Sequence, residues 1–411
     1  VKVEKQFKRT VKAGLILFAV GLLLGAVIVY AVTPSSTFYI SNGIYPGAPS
    51  FTVWMEGSNY FAKDANGQLK YSGTNASEII NDAISDIPST GGRILLENAN
   101  YTLDTPLNLL GKYSLEIYGE TTGHSGTTKG TILSLADNAD TNLILKNETS
   151  SAFFYIMLRG LTLYGNKDGQ TDTNALIYMK NVWWLRIENL VISESKSHAI
   201  HLDSCRWVWI THNDIGISDG GQNDGDGIRC NGVSPAWIID NSIIQNDNGI
   251  FLVSDAGVVE DVRILGNQIV RNTGDGVYIG KGLEIMWLVD ISDNTINEND
   301  HHGVSINGVA SNVTNCKICN NVIVSNDYNG VGYDGIYIDK GNNLIISNNH
   351  ISDLNSKGQR YGIWEKAGDN NTFTSNHCLL NSLAGIIVTG LNTHVCCCWN
   401  GTTWISEYPT P

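Results

Sequence analysis

Short strands with strict alternation dominate the second half of the chain. In Gly249-Ile250-Phe251-Leu252, Gly276-Val277-Tyr278-Ile279, Gly303-Val304-Ser305-Ile306 and Gly335-Ile336-Tyr337-Ile338, two aliphatic residues fall on one side of a strand and one variable residue on the other. Asn punctuates the same stretch at Asn189, Asn213, Asn241, Asn267, Asn294, Asn321, Asn349 and Asn376, with intervals of 24, 28, 26, 27, 27, 28 and 27 residues. A period of this length, with strand alternation and little helical pattern, predicts a parallel β-helix whose coils stack about 4.8 Å apart. Asn and Gly tolerate the left-handed backbone of sharp corners, and stacked Asn amides bond along the axis, so the recurring Asn is assigned a structural part.

One amphipathic helix interrupts the strand pattern. Asn75 and Glu78 form a capping box, and Ile79, Ile80, Ala83, Ile84 and Ile87 share a face. The helix precedes the first coil and suits a lid over the apolar end of the stack. Before it, Phe51-Thr52-Val53-Trp54, Tyr60-Phe61-Ala62-Lys63 and Leu69-Lys70-Tyr71-Ser72 read as strands of a small module.

The first 32 residues are different in kind. Lys2, Lys5, Lys8, Arg9 and Lys12 precede an uncharged run from Ala13 to Val32, long enough to cross a bilayer as one helix. The flanking charge orients the basic segment to the cytoplasm and the rest outside. A cleaved signal peptide ending near Val29-Tyr30-Ala31, or pilin-like processing at Lys12-Ala13-Gly14, are the competing readings. The expected organisation is thus a basic segment (1–12), an anchor or signal helix (13–32), a stalk (33–50), a β module with its capping helix (51–90), the solenoid (91–390) and a Cys-rich cap or tail (391–411). Localisation at the cell membrane, with the solenoid outside, follows from this orientation.

Composition adds limits. Lys plus Arg number 26 against 40 Asp plus Glu, thinly spread, which excludes a basic nucleic-acid-binding footprint. Six glycosylation sequons begin at Asn75, Asn100, Asn147, Asn312, Asn370 and Asn400, consistent with an exterior location. Cys230 and Cys378 occupy core positions of their repeats. Cys316-Lys317-Ile318-Cys319 has the spacing of a metal pair but no matching second pair or His cluster, so no metal site is assigned. Cys396-Cys397-Cys398 cannot all point into one core, and outside the cytosol the run could form disulfides within or between chains.

The segment from Asn75 to Leu107, with its helix, Gly-Gly, strand and Tyr-Thr-Leu, then Leu161-Thr162-Leu163-Tyr164-Gly165-Asn166 and the repeats, resembles the pectate-lyase-like superfamily of right-handed β-helices. The stretch from Phe51 to Ile84 also resembles a module that precedes such helices in archaeal surface proteins. The resemblance covers about Phe51 to Gly390 and implies an all-β, right-handed parallel β-helix from about Arg93 to Gly390. It leaves function open among polysaccharide lyases, glycoside hydrolases, epimerases, tailspikes and adhesins.

Aligning the repeats brings candidate chemistry into two columns. The outward strand position gives His201, Arg229, Phe251, Tyr278, Ser305, Tyr337 and Trp364; the residue before each small turn residue gives His198, Asp226, Asn248, Asp275, His302, Asp334 and Tyr361. Rings beside carboxylates suit a sugar chain. Asp226 and Asp275 fall two coils apart, about 9.6 Å between backbones, near the upper end for an inverting glycosidase pair. Asn223-Asp224-Gly225-Asp226-Gly227-Ile228 and His302-Gly303-Val304-Ser305-Ile306 resemble parts of the polygalacturonase-type motifs, but no Asp-Asp pair and no Arg-Ile-Lys after the His accompany them. A lyase would instead need Arg229 as base beside Ca²⁺ held by Asp224 and Asp226. The catalytic candidates are therefore Asp226, Asp275, His302, Arg229 and Asp224; the substrate-binding candidates are His201, Phe251, Tyr278, Tyr337 and Trp364. The expected partner is a polysaccharide or cell-surface glycan, and whether it is turned over stays open. The competing reading is a non-enzymatic surface subunit that self-associates through its N-terminal helix and solenoid, with the Asp-Gly corners serving only to turn the chain. The intact mass of the native protein is expected to retain Phe18. A mature start near Val32 would remove the anchor, and one near Gly14 or Leu15 would favour the pilin-like reading.

Overall fold

The computed structural model describes residues 48–123, 130–216, 221–280, 282, 284–308, 313–354, 358–399 and 402–405. The basic segment, the apolar run 13–32, nearly all of the stalk and the sequons at Asn312 and Asn400 lie outside these residues. Among the described residues no helix is long and apolar enough to cross a membrane.

Each coil lays three short strands on three faces. In the most regular stretch the first face is built by Ile200–Asp203, Ile228–Asn231, Ile250–Val253, Val277–Gly280, Val304–Asn307 and Ile336–Asn342, each parallel to the next and in register apart from a shift between Ile306 and Asn307. The second face runs through Arg206–Thr211, Ala236–Ile239, Val262–Leu265, Asp290–Ser292 and Lys317–Cys319. The third runs through Ser242–Ile244, Gln268–Val270, Thr295–Asn297, Val322–Val324, His350–Ser352 and His377–Leu379. Aliphatic columns from all three faces fill the interior, two of them from the first face, as in Ile250 with Leu252 and Val277 with Ile279. Ile243, Ile269, Ile296, Ile323 and Ile351 stack on the third face with no exposure, and Cys378 takes the next place in the same column.

The stacking is locked by amides. Asn213, Asn241, Asn267, Asn294, Asn321, Asn349 and Asn376 are buried, and the Nδ2 of each donates to the Oδ1 of the next at 2.9–3.0 Å. Each Oδ1 also accepts the backbone N–H of the preceding Asn, as in Asn241 N to Asn267 Oδ1 at 3.0 Å. Asn189 does not belong to this series. It is exposed with φ 51°, and Leu190 holds the register place, its N–H donating to Asn213 Oδ1. A second ladder, from Asn223 through Asn246, Asn272 and Asn299 to Asn326, runs up the corner between third and first faces at 2.7–3.0 Å.

At the N-terminal end, Phe51–Glu56, Asn59–Asp64 and Leu69–Gly73 form an antiparallel meander, and Phe51–Val53 also pairs parallel with Ile94–Leu96 of the first coil. Helix α1 (Ala76–Asp86) starts where Asn75 Oδ1 accepts the Glu78 N–H, and it buries Ile79, Ile80, Ala83 and Ile84 in the common core. Ser77 and Asn81 tie it to the backbone at Asp104 and Pro106.

The solenoid continues past Gly390. His394–Cys396 pairs parallel with Thr372–Thr374, and Cys398–Trp399 then pairs antiparallel with Trp404–Ile405. Cys398 points inward and is buried, whereas Cys397 is exposed at a left-handed corner with its sulfur 2.9 Å from that of Cys396. Cys316 and Cys319 are both buried, the first with its thiol pushed up to about 12 by burial, and they contact Thr314 and Ser347 rather than each other. Of the described sequons, Asn100, Asn147 and Asn370 are exposed, while the Asn75 amide is engaged by Asp104.

Removing one ladder amide strands several buried partners, each costing about 1–3 kcal/mol. Asn267→Ala is therefore expected to lower stability by at least about 2 kcal/mol, and exposed Asn189→Ala to stay within about 0.5 kcal/mol, as read from guanidinium unfolding midpoints.

Candidate functional site

The first face and the corner before it carry a grid of three columns. Strand register aligns the outward column Tyr178, His201, Arg229, Phe251, Tyr278, Ser305, Tyr337 and Trp364 without a break. Tyr178 extends the column by one coil below the sequence-predicted set.

The second column is a ladder in its own right. The backbone N–H of Asp226 donates to His198 Nδ1 (3.0 Å), that of Asn248 to Asp226 Oδ1 (3.4 Å), and that of Asp275 to Asn248 Oδ1 (2.9 Å). The pattern continues from His302 to Asp275 Oδ1 (2.9 Å), Asp334 to His302 Nδ1 (3.0 Å) and Tyr361 to Asp334 Oδ1 (3.1 Å). Each side chain from His198 to Asp334 accepts the amide of the coil above, which explains why Asp, Asn and His recur there.

A third column lies one residue earlier: Ser197, Gly225, Asp247, Gly274, His301, Tyr333 and Arg360. Backbone bonds join most of its neighbours, as in Asp247 N to Gly225 O (2.9 Å) and Gly274 N to Asp247 O (2.7 Å). Sequence reasoning missed Asp247, His301, Tyr333 and Arg360, although they follow the same intervals as the second column. In the two central coils the side chains are smallest at Gly274 and Ser305, so the face is lowest there. Gly274 has to be bare, since a Cβ would lie 2.5 Å from Asn248 Oδ1. Tyr333 forms the upper wall, stacked on His301 at 4.2 Å and edge-on to His302 at 4.9 Å. It ends a loop whose base is clamped by buried Asp327, which accepts the N–H groups of Val331 and Gly332 at 2.8 Å.

Ring faces are mostly taken. Phe251 lies between the Arg229 guanidinium (4.5 Å) and Tyr278 (4.5 Å, 4° between planes), so it offers a ligand only an edge. His302 stacks on Tyr337 (4.6 Å), and Arg360 covers Trp364 (4.4 Å). The stack breaks at Ser305, and among the described residues no ring lies against the second face of Tyr278. His201 is held by Asp203 (3.3 Å) and lies edge-on to Tyr178. Elsewhere, Trp183, Trp184, Trp207, Trp209 and Trp237 cluster on the second face and its corner, stacked chiefly on one another.

Charge divides the carboxylates. Burial would raise Asp226, but the neighbouring His198 imidazole, the bond from Asn248 Nδ2 (2.8 Å) and the Arg229 guanidinium at 3.1 Å outweigh it and hold the carboxyl below its ordinary value. Asp275 goes the other way. Burial pushes it up to about 6, against the opposing bonds from Ser305 Oγ (2.6 Å) and the His302 amide, with the Asp247 charge adding to the rise. Asp247 is exposed at the rim and is also raised, first by partial loss of water and then by Asp226. His302 is lowered to about 3 by burial and by the His301 and Arg360 charges, so it is neutral at ordinary pH. With Nδ1 accepting the Asp334 amide, Nε2 carries its proton. Two carboxyls with opposite shifts on one face are what acid–base chemistry needs.

Asp224 stands apart from this group. Its oxygens pair with Lys167 (3.1 Å) and Lys196 (3.5 Å), while Asp226 pairs with Arg229. A Ca²⁺ cradle from Asp224 and Asp226 does not fit, because cations already neutralise both. Among the described residues no group of three or more His, Cys, Asp or Glu is placed to hold a metal. A cavity of about 490 Å³ lies against α1, lined by Asn81, Ile84, Thr105, Pro106, Leu110 and Lys112, and includes none of the grid residues.

A family profile described as a right-handed beta helix region matches residues 175–332. The fold is shared with an A-module of a mannuronan C-5 epimerase from Azotobacter vinelandii (16% identity, 78% of this chain and 96% of that chain covered, TM-score 0.60). It is shared with the catalytic unit of a thermostable alpha-1,3-glucanase from Streptomyces thermodiastaticus (12% identity, 82% and 67% covered, TM-score 0.55). It is also shared with the Dettilon tailspike protein (14% identity, 77% and 61% covered, TM-score 0.51). A comparison with curated protein sequences found no match. The chain thus has the right-handed parallel β-helix fold.

Because the native pKa of Asp275 is raised, its protonated form is favoured by folding. The associated stability is fully present below the ordinary value of 3.8 and is lost as pH rises through about 6. Infrared difference spectra are expected to show a carboxyl titrating near 6 that disappears in Asp275→Asn. The same substitution should lessen the fall in unfolding temperature between pH 4 and pH 7.

Proposed function

We propose that this β-helix binds a polysaccharide along the three-column face and acts on it by proton transfer at Asp226 and Asp275. The observation that carries the reading is the opposite displacement of these two carboxyls, one held ionised by Arg229 and the other able to keep a proton up to about pH 6. Their two-coil separation, about 9.6 Å between backbones, suits cleavage with a water between them. Asp247 at the rim and the Nε2–H of neutral His302 are the further polar groups able to meet a sugar. Tyr278 and Trp364 supply apolar contact. The polysaccharide-acting relatives of the same fold, an epimerase and a glucanase, support a carbohydrate partner. Surface display through residues 13–32, with the archaeal-type arrangement of the N-terminal module, belongs to the same proposal.

One observation favours the alternative of a non-enzymatic surface subunit. The second column has a structural task of its own, since each side chain from His198 to Asp334 satisfies a backbone amide of the next coil. The two readings separate under Asp→Asn substitution, because Asn keeps an Oδ1 to accept the ladder amide while it loses the charge, the proton and the Oδ2 acceptor that meets Arg229 or Ser305.

Asp226→Asn and Asp275→Asn are each expected to lower turnover of a responsive polysaccharide by about 10²-fold or more without changing the circular dichroism spectrum. Tyr278→Ala or Trp364→Ala should weaken glycan retention in affinity electrophoresis by about 0.5–1.5 kcal/mol. Ordered filaments or a lattice from the purified protein, with neither binding nor cleavage across acidic and neutral polysaccharides, would establish the alternative.

A further inference from the structure

The cations of the grid are already committed. Arg229 pairs with Asp226 (3.1 Å), Arg360 forks onto buried Asp334 (2.9 and 3.1 Å), and Lys366 pairs with Asp339 (2.6 Å). Lys167 and Lys196 both meet Asp224. Arg229 and Arg360 are further pinned by the rings of Phe251 and Trp364. Lys340 makes no ion pair among the described residues, but its register partner is Asn307, at the far end of the strands from the corner.

Among the described residues, three carboxyls at that corner have no Lys or Arg partner: Asp247, Asp275 and Asp300. The backbone brings them together around His301: the Gly274 N–H donates to Asp247 O (2.7 Å) and the His301 N–H to Gly274 O (3.1 Å), with Asp275 and Asp300 the chain neighbours of Gly274 and His301. Each is raised first by loss of water and then in part by another carboxylate: Asp226 for Asp247, Asp247 for Asp275, and Asp327 for Asp300. Negative charge is therefore already unfavourable at the lowest part of the face. A substrate carboxylate or sulfate placed there would meet like charge, with the His301 imidazole already shared by three carboxyls and, among the described residues of that corner, no Lys or Arg left unpaired to receive it.

Given the polysaccharide reading above, we infer that the glycan taken by this face is uncharged, a neutral hexose or N-acetylhexosamine polymer, and that free polyuronates and sulfated polymers are rejected. The charge arrangement around Gly274 and Ser305 selects against anions, while hydroxyls and acetamides find acceptors in Asp247 and Asp275 and a donor in His302.

Matched polymers test this. The full protein is assayed by affinity electrophoresis against methyl-esterified and free polygalacturonate, and against dextran and carboxymethyl-dextran, at about 0.02 M and about 0.5 M salt. The expected result is binding to a neutral member about tenfold or more tighter than to its charged counterpart at low salt. The gap should narrow at high salt and in Asp247→Asn and Asp300→Asn. Equal or tighter binding of the charged member, or a gap indifferent to salt and to both substitutions, overturns the inference while leaving the polysaccharide reading in place. Retention of neither member of either pair overturns both.

Discussion

A side chain on one coil meeting the backbone of the next is the interaction on which this molecule depends. Parallel strands alone would allow neighbouring coils to slide, and a one-residue slip would turn every inward aliphatic residue outward. The buried amides of Asn213 to Asn376 forbid that slip, because each must place one oxygen against a specific N–H and one nitrogen against a specific carbonyl. The same logic recurs at the other corner in the Asn223 to Asn326 series, and again in the Asp, Asn and His acceptors of the first face. Three such rails fix the coils while the aliphatic interior supplies the bulk of the driving force.

The site inherits its precision from these rails. Asp226 and Asp275 are held by the bonds that register the coils, so their separation is set by the stack rather than by flexible loops. What differs between them is the immediate company: a guanidinium and a histidine for one, a hydroxyl and a second carboxylate nearby for the other. A scaffold feature and the proposed reactive pair are thus the same atoms under different solvation, which is why fold-level argument alone does not separate a catalyst from a structural subunit.

Most of the architecture was legible in the sequence because the period is a direct imprint of stacking. Once Gly249, Gly276, Gly303 and Gly335 are aligned, the outward position after each is determined, and the column from His201 to Trp364 follows. Asn189 misled because a corner Asn stands beside the true ladder position, held by Leu190. The end of the solenoid was placed too early because Cys and His residues from His394 onward do not look like a repeat, though their backbone pairs as one. The third column escaped because Ser, Gly, Asp, His, Tyr and Arg share no chemical type, only an interval. The consumption of ring faces was also invisible, since sequence gives the order of Arg229, Phe251 and Tyr278 but not that their planes lie flat on one another.

The loop clamped by Asp327 has a wider consequence. Asp275 to His302 spans 27 residues and His302 to Asp334 spans 32, yet the three occupy consecutive places on one rail. The additional chain is pinched off by the carboxylate that gathers the Val331 and Gly332 amides, and Tyr333 returns to the wall as though nothing had been inserted. Variation in such a protein is therefore of two separable kinds: whole coils, which lengthen the face in steps of about 4.8 Å, and corner excursions, which reshape its rim at constant length. Under the polysaccharide reading proposed above, the span of polymer met and the decoration tolerated at the rim would be set by separate parts of the chain.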